Sequence, residues 1–143
     1  EVHANKMLHL DLKPANIMVT ESGTLKISDF GLARNTSHNE YIPTDDEGDK
    51  CYMASEVLEG IITPAADIFS LGIISLELAA NVELPKHGDS WIALRENSDL
   101  VAGLLPPELR ESVLSMIAFD YTERPTALEI LTAIENERNM DSL

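Results

Sequence analysis

Cysteine is nearly missing from this chain: Cys51 is the one thiol in 143 residues. No internal disulfide can form, which fits a reducing compartment. Basic residues are scarce too. Lys and Arg total 10 against 25 Asp and Glu, a formal net charge of −15. Such a surface repels phosphate backbones and anionic bilayers, so nucleic acid and membrane surfaces are poor partners for it. The same field favours a basic peptide or a divalent cation. The opening "EVHANKMLHLDL" lacks a basic stretch followed by a long apolar run, so it is no signal peptide. It also lacks an initiating methionine and reads as the end of a helix, so the chain reads as a piece of something longer. The longest apolar stretch, "DIFSLGIISLELAANV" from Asp67 to Val82, falls short of the roughly 20 residues a bilayer span needs and carries Glu77. It is apolar almost all round, as befits a helix buried in a core.

What is present is ordinary for a soluble domain: 44% hydrophobic and 24% charged residues, in a length that suits one domain. Ile17 to Thr20 and Thr24 to Ser28 alternate apolar and polar around "ESG", which predicts a β-hairpin turning at Gly23. Arg34 to Lys50 shows no period and reads as a long loop of the kind that is usually functional or disordered. Beyond Pro64 the pattern is helical. Ile68 to Ala80 forms one helix, "NVELPKHGDS" interrupts it, and Trp91 to Glu96 forms a short one. Pro107 suits the first position of a helix to about Ala118, with Leu109, Val113, Met116 and Ile117 on one face. "TALE", Thr126 to Glu129, is a capping box opening the last helix, whose expected core face is Leu128, Leu131 and Ile134. The expected fold is mainly α, with a small β-hairpin at its entrance.

The polar residues around that hairpin carry the chemistry. Asp11 and Lys13 precede it, Asn16 lies at its start and Asp29 just past its end. A hairpin returns the chain to where it left, so Asn16 and Asp29 should meet. An amide oxygen and a carboxylate are hard ligands suited to Mg²⁺. Asp11 could accept a proton or orient a hydroxyl, and Lys13 could neutralise charge on a phosphate. Together these are the parts of phosphoryl transfer. "TDDEGD", Thr44 to Asp49, invites a calcium-loop reading, but with Gly48 at the glycine position Pro43 and Ala54 fall where carboxylates are needed. A solvated acidic loop and a substrate contact both stand as readings of it. Cys51 and Trp91 read as packing residues, and His9 as a core histidine supporting the loop.

"HLDLKPAN", His9 to Asn16, resembles the catalytic loop of protein kinases, "DFG", Asp29 to Gly31, resembles their metal-binding motif, and "ASE", Ala54 to Glu56, sits where that family has A-P-E. The order and spacing agree as well as the motifs. The resemblance implies that Asp11 is the catalytic base, that Lys13 contacts the transferred phosphate of ATP, and that Asn16 and Asp29 hold Mg²⁺ against the ATP phosphates. It implies that Gly31 permits the turn aiming Asp29, that Asp67 holds the catalytic loop through backbone N–H groups, and that Glu56 and Arg124 form a buried ion pair. Leu10 stands where most kinases have an arginine that pairs with an activation-loop phosphate, and a leucine cannot make that pair.

"EGD" ahead of "YMASE", and "NVELPKHGDSWIALRENS" from Asn81 to Ser98, resemble the Wee/Myt class, and "HLDLKPANIMVTESGTLKISDFG" is similar to fungal Wee-type members in particular. That resemblance implies a kinase placing inhibitory phosphate on tyrosine of a cyclin-dependent kinase to delay mitosis, in the nucleus or alternatively the cytoplasm. Lys13 is nevertheless typical of serine/threonine kinases. No "GxGxxG" and no "VAIK" counterpart occurs in the sequence, so the resemblance covers the C-terminal lobe alone, with residues 1–138 as a partial kinase domain and 139–143 as a tail. The 143 residues alone should then turn over little or nothing. The other readings are a non-catalytic kinase-like interaction module and a generic serine/threonine kinase.

Overall fold

The computed structural model describes residues 1–37 and 48–142. Its body is helical: α1 (Ser55–Leu58), α2 (Pro64–Ala80), α3 (Gly88–Glu96), α4 (Pro107–Met116) and α5 (Ala127–Asp141), joined by short 3₁₀ turns. The strands are short: β1 (Met7–Leu8), β2 (Ile17–Val19), β3 (Leu25–Ile27) and β4 (Arg34–Asn35).

α2 is the axis. Pro64 starts it, where a missing N–H costs nothing, and Asn81 ends it in a left-handed conformation with φ of 50°. Its run from Ala66 to Phe69 and from Gly72 to Ile74 is buried, as the apolar pattern requires. Ile73, Phe69 and Leu76 meet Val113, Met116 and Ile117 at the α4 end, with Ala54, Leu84, Leu94 and Leu105 completing the core. Gly72 makes the α2–α4 contact close: a Cβ there would lie 2.6 Å from Ile117 Cγ2 and 2.8 Å from Met116 Cβ.

The hairpin is antiparallel with Ile17 opposite Ile27 and Val19 opposite Leu25, and Gly23 takes φ of +82° at its turn. A second pairing was not legible in the sequence. Within the expected loop from Arg34, residues Arg34 and Asn35 pair antiparallel with Leu8 and Met7. Two-residue strands carry too little pattern to register as alternation. Residues 38–47, which hold most of "TDDEGD", lie outside the described residues.

Two expected core faces are corrected. In α5, Leu128, Leu131 and Ile134 are 72%, 51% and 43% exposed, and the residue that packs on the core is Ile130. In α4, Val113, Met116 and Ile117 are buried but Leu109 is not. A helical repeat says which residues share a face; whether another element covers that face is decided by tertiary packing. Here α5 stands beside α2 and α4 across an open trough of about 600 Å³, lined by Leu78, Leu109, Ile130 and Ile134 among others. The capping box at its start is formed as expected, with Thr126 Oγ1 accepting from Glu129 N–H and Glu129 Oε2 accepting from Thr126 N–H. The short helix α3 also begins earlier than the pattern suggested, at Gly88 rather than Trp91.

Candidate active site

The loop that carries Asp11 is held from below by one buried carboxylate. Asp67, in the first turn of α2 and 3% exposed, accepts from the backbone N–H of His9 at 2.9 Å and of Leu10 at 2.8 Å. His3 Nε2 donates to the same carboxylate at 2.8 Å. These bonds hold Leu10 at φ of +65°, a left-handed backbone that a leucine adopts only under constraint.

His9 is fully used. Its Nδ1 accepts the N–H of Asp11 at 3.2 Å, so Nε2 carries the proton and donates to the Ser28 carbonyl at 2.9 Å. Its ring meets Phe30 edge-on at 4.9 Å. A ring with both nitrogens committed is a brace between the loop and the segment after the hairpin, not a proton carrier.

Around the Asp11 carboxylate the structure gathers Lys13 and Asn16. Lys13 Nζ lies 3.5 Å from Oδ1. Asn16 Nδ2 donates to the Asp11 carbonyl at 2.8 Å and to Oδ2 at 3.2 Å. That leaves the Asn16 amide oxygen facing away from Asp11. Asp29 sits across the hairpin, where Ser28 N–H donates to the Asn16 carbonyl at 2.8 Å. The left-handed backbone that aims Asp29 falls on Asp29 itself, at φ of 57°, rather than on Gly31. Gly31 contributes in another way. Its N–H donates to Asp29 Oδ1 at 3.2 Å, and a Cβ there would stand 3.1 Å from that oxygen.

The donor set fits a magnesium ion: an amide oxygen and a carboxylate, both hard, on adjoining strands' ends, with few protein ligands so that phosphate and water complete the shell. Among the described residues no group of three His, Cys, Asp or Glu gathers in the way a zinc site requires.

The far end of the site is anchored in the core. Arg124 Nη1 and Nη2 meet Glu56 Oε1 and Oε2 at 2.6 and 3.1 Å, and the guanidinium also donates to the carbonyls of Ala118, Ala65 and Phe119. The pair is buried, and every donor has an acceptor.

The protein kinase domain family matches residues 1–133. This chain belongs to the protein kinase family. Several of its relatives are Wee-type kinases. It is 51% identical to the mitosis inhibitor protein kinase SWE1 of Candida albicans, over 73% of this chain and 9% of that one. It is 50% identical to the mitosis inhibitor protein kinase of Schizosaccharomyces pombe, over 66% of this chain and 11% of that one. The membrane-associated tyrosine- and threonine-specific cdc2-inhibitory kinase of Drosophila melanogaster is 40% identical over 92% of this chain and 25% of its own length. The chain thus spans between 9% and 37% of the length of these and similar relatives.

In kinase terms, the loop and the Asp-Phe-Gly turn meet at His9, whose ring contacts Phe30, and Asp67 and the Glu56–Arg124 pair are the scaffold beneath. Sequence reasoning missed three contributors: His3, the adjacent pair Gly48 and Asp49, and Arg95. His3 is a third donor to Asp67, with no local pattern to mark it. Gly48 approaches the catalytic loop so closely that a Cβ would lie 2.8 Å from the Leu10 carbonyl oxygen. Beside it, Asp49 N–H donates to Asp11 Oδ1 at 3.3 Å. The third is Arg95, a cation in a helix face where a sequence pattern places solvent, yet 1% exposed. Cys51 is a half-buried neighbour of the core, and burial foremost raises its thiol above the usual range. A raised thiol pKa disfavours the thiolate that a nucleophile needs.

Proposed function

We propose that this chain carries the catalytic loop of a longer, ATP-dependent Wee-type kinase that phosphorylates an inhibitory tyrosine on a cyclin-dependent kinase, and that it acts in the nucleus. The observation that carries the reading is the Asp11 carboxylate, fixed by Asp67 through the loop and flanked by Lys13 and Asn16. Asp11 is placed to accept the proton of a substrate hydroxyl, and Lys13 to offset negative charge building on the transferred phosphate. Asn16 and Asp29 would hold Mg²⁺, which when bound neutralises the phosphate oxygens of ATP. The net charge of −15 favours a target with a basic surface.

The test is a kinase assay on the longer enzyme with a cyclin-dependent kinase as substrate, followed by phosphoresidue analysis. Phosphotyrosine is expected, with loss of about 10³-fold or more of turnover in Asp11→Asn, the order expected when a positioned base and its charge are removed. The 143 residues alone, without a glycine-rich phosphate loop in their sequence, should show little or no turnover. Robust activity of the isolated chain, or an unaffected Asp11→Asn enzyme, would overturn the proposal, and phosphoserine or phosphothreonine alone would reassign its specificity.

A further inference from the structure

Among the described residues Arg95 is the largest fully buried side chain, and none of their carboxylates lies within ion-pair distance of it. A buried guanidinium needs partners for its donors, and here they are backbone carbonyls of one short segment. Nε donates to the Met53 carbonyl at 2.8 Å, and Nη2 to those of Lys50 and Cys51 at 3.0 and 3.2 Å. Nη1 donates to the Trp91 carbonyl, one turn back on α3, at 3.2 Å. The cation lies 3.6 Å from the centroid of the Trp91 ring and 5.3 Å from that of Phe69. Trp91 Nε1 adds a second donor to the Lys50 carbonyl, at 2.7 Å. Four hydrogen bonds from α3 therefore fix Lys50, Cys51 and Met53, which lie outside any helix or strand.

That segment continues directly into the site. Asp49 precedes Lys50, and its N–H reaches Asp11 Oδ1. Asp49 is itself tied to the clamped segment, its carbonyl accepting from Tyr52 N–H at 3.0 Å and its Oδ1 from Cys51 N–H at 3.0 Å. Gly48 leaves the room for this approach. We propose that Arg95 is a positioning residue for phosphoryl transfer: by gripping the Lys50, Cys51 and Met53 carbonyls, it sets the Asp49 amide against Asp11 and holds the catalytic carboxylate and its neighbouring loop in register. The catalytic half of this statement rests on the reading of Asp11 as the base. The mechanical half does not.

A planar fork explains why the residue is arginine. Lysine offers one point charge and cannot bond three carbonyls while stacking on an indole. The experiment is amide hydrogen exchange on the 143-residue chain, comparing Arg95→Lys and the milder Trp91→Phe with the parent. The amides of Asp49, Cys51 and Tyr52 should exchange at least tenfold faster in Arg95→Lys and several-fold faster in Trp91→Phe, while those of Ile73 to Leu76 in α2 stay within twofold. Unchanged exchange at 49–52 in both variants, or an equal rise in α2, would overturn the clamp, the second result marking Arg95 as core filling only. In the longer kinase, Arg95→Lys should lower kcat on the protein substrate about tenfold with the KM for ATP unchanged; retained kcat with a raised KM for ATP would overturn the positioning role. Asp11→Asn separates the two layers. If turnover survives that change, the base assignment fails, and hydrogen exchange alone still decides whether Arg95 holds the loop.

Discussion

Replacing Asp67 by asparagine probes the scaffold of the site with the least change of shape. The carboxylate accepts three donors: Leu10 N–H on Oδ1, and His9 N–H and His3 Nε2 on Oδ2. Asparagine has one acceptor oxygen. Its best orientation keeps two donors and turns an NH₂ toward the Leu10 N–H, donor against donor. Hydrogen bonds to a charged acceptor contribute about 1.5–3 kcal/mol each, so losing one and weakening two should cost roughly 3–4 kcal/mol. The lost bond is also the one that holds Leu10 left-handed, a conformation that costs roughly 1–2 kcal/mol for an L-residue. Freed from it, Leu10 should relax and carry Asp11 with it. Urea unfolding followed by circular dichroism should show the midpoint falling by about 1–4 M, for slopes of roughly 1–3 kcal/mol/M. The longer kinase should lose at least tenfold in kcat. A midpoint within about 0.3 M of the parent would refute the energetic reasoning, being under 1 kcal/mol at such slopes. A destabilised enzyme with full turnover would refute the proposed link from Asp67 to Asp11.

Removing one side of the buried ion pair with Glu56→Ala should cost about 3–5 kcal/mol, because the Arg124 guanidinium stays buried without its counter-charge; thermal unfolding measures it. Gly72→Ala forces a methyl to within 3 Å of Ile117 and Met116, and overpacking of this kind should destabilise by about 1–3 kcal/mol in the same assay. Leu10 offers no cation for an activation-loop phosphate, so phosphatase treatment should leave the activity of the longer kinase unchanged. At acid pH the α5 capping box should open. Hydrogen bonds from Thr126 hold the Glu129 carboxyl below its ordinary value, so its contribution is present above the unfolded pKa and is lost as pH falls through the lowered folded one. Helical circular dichroism of the Glu129→Gln chain should lack that low-pH step.

Much of this molecule was written in local pattern. The spacing from His9 to Asn16 and on to Asp29, the apolar run of α2, the proline at the head of α4 and the Thr126–Glu129 box each act through neighbours in sequence, and each forms as the residues require. Hairpin geometry follows from the same source, since alternation and Gly23 bring Asn16 back beside Ser28. Tertiary structure decided the rest. Leu128 and Leu131 share a face that nothing described covers, because periodicity aligns side chains and only packing buries them. His3, Gly48 and Arg95 join the site across gaps in sequence that carry no repeat, through contacts that exist only once α2 and α3 are packed. An arginine reads as solvent-facing in any sequence scale. Here the carbonyls of Lys50, Cys51 and Met53 and the Trp91 ring solvate it inside the protein, and that environment is supplied by the fold alone.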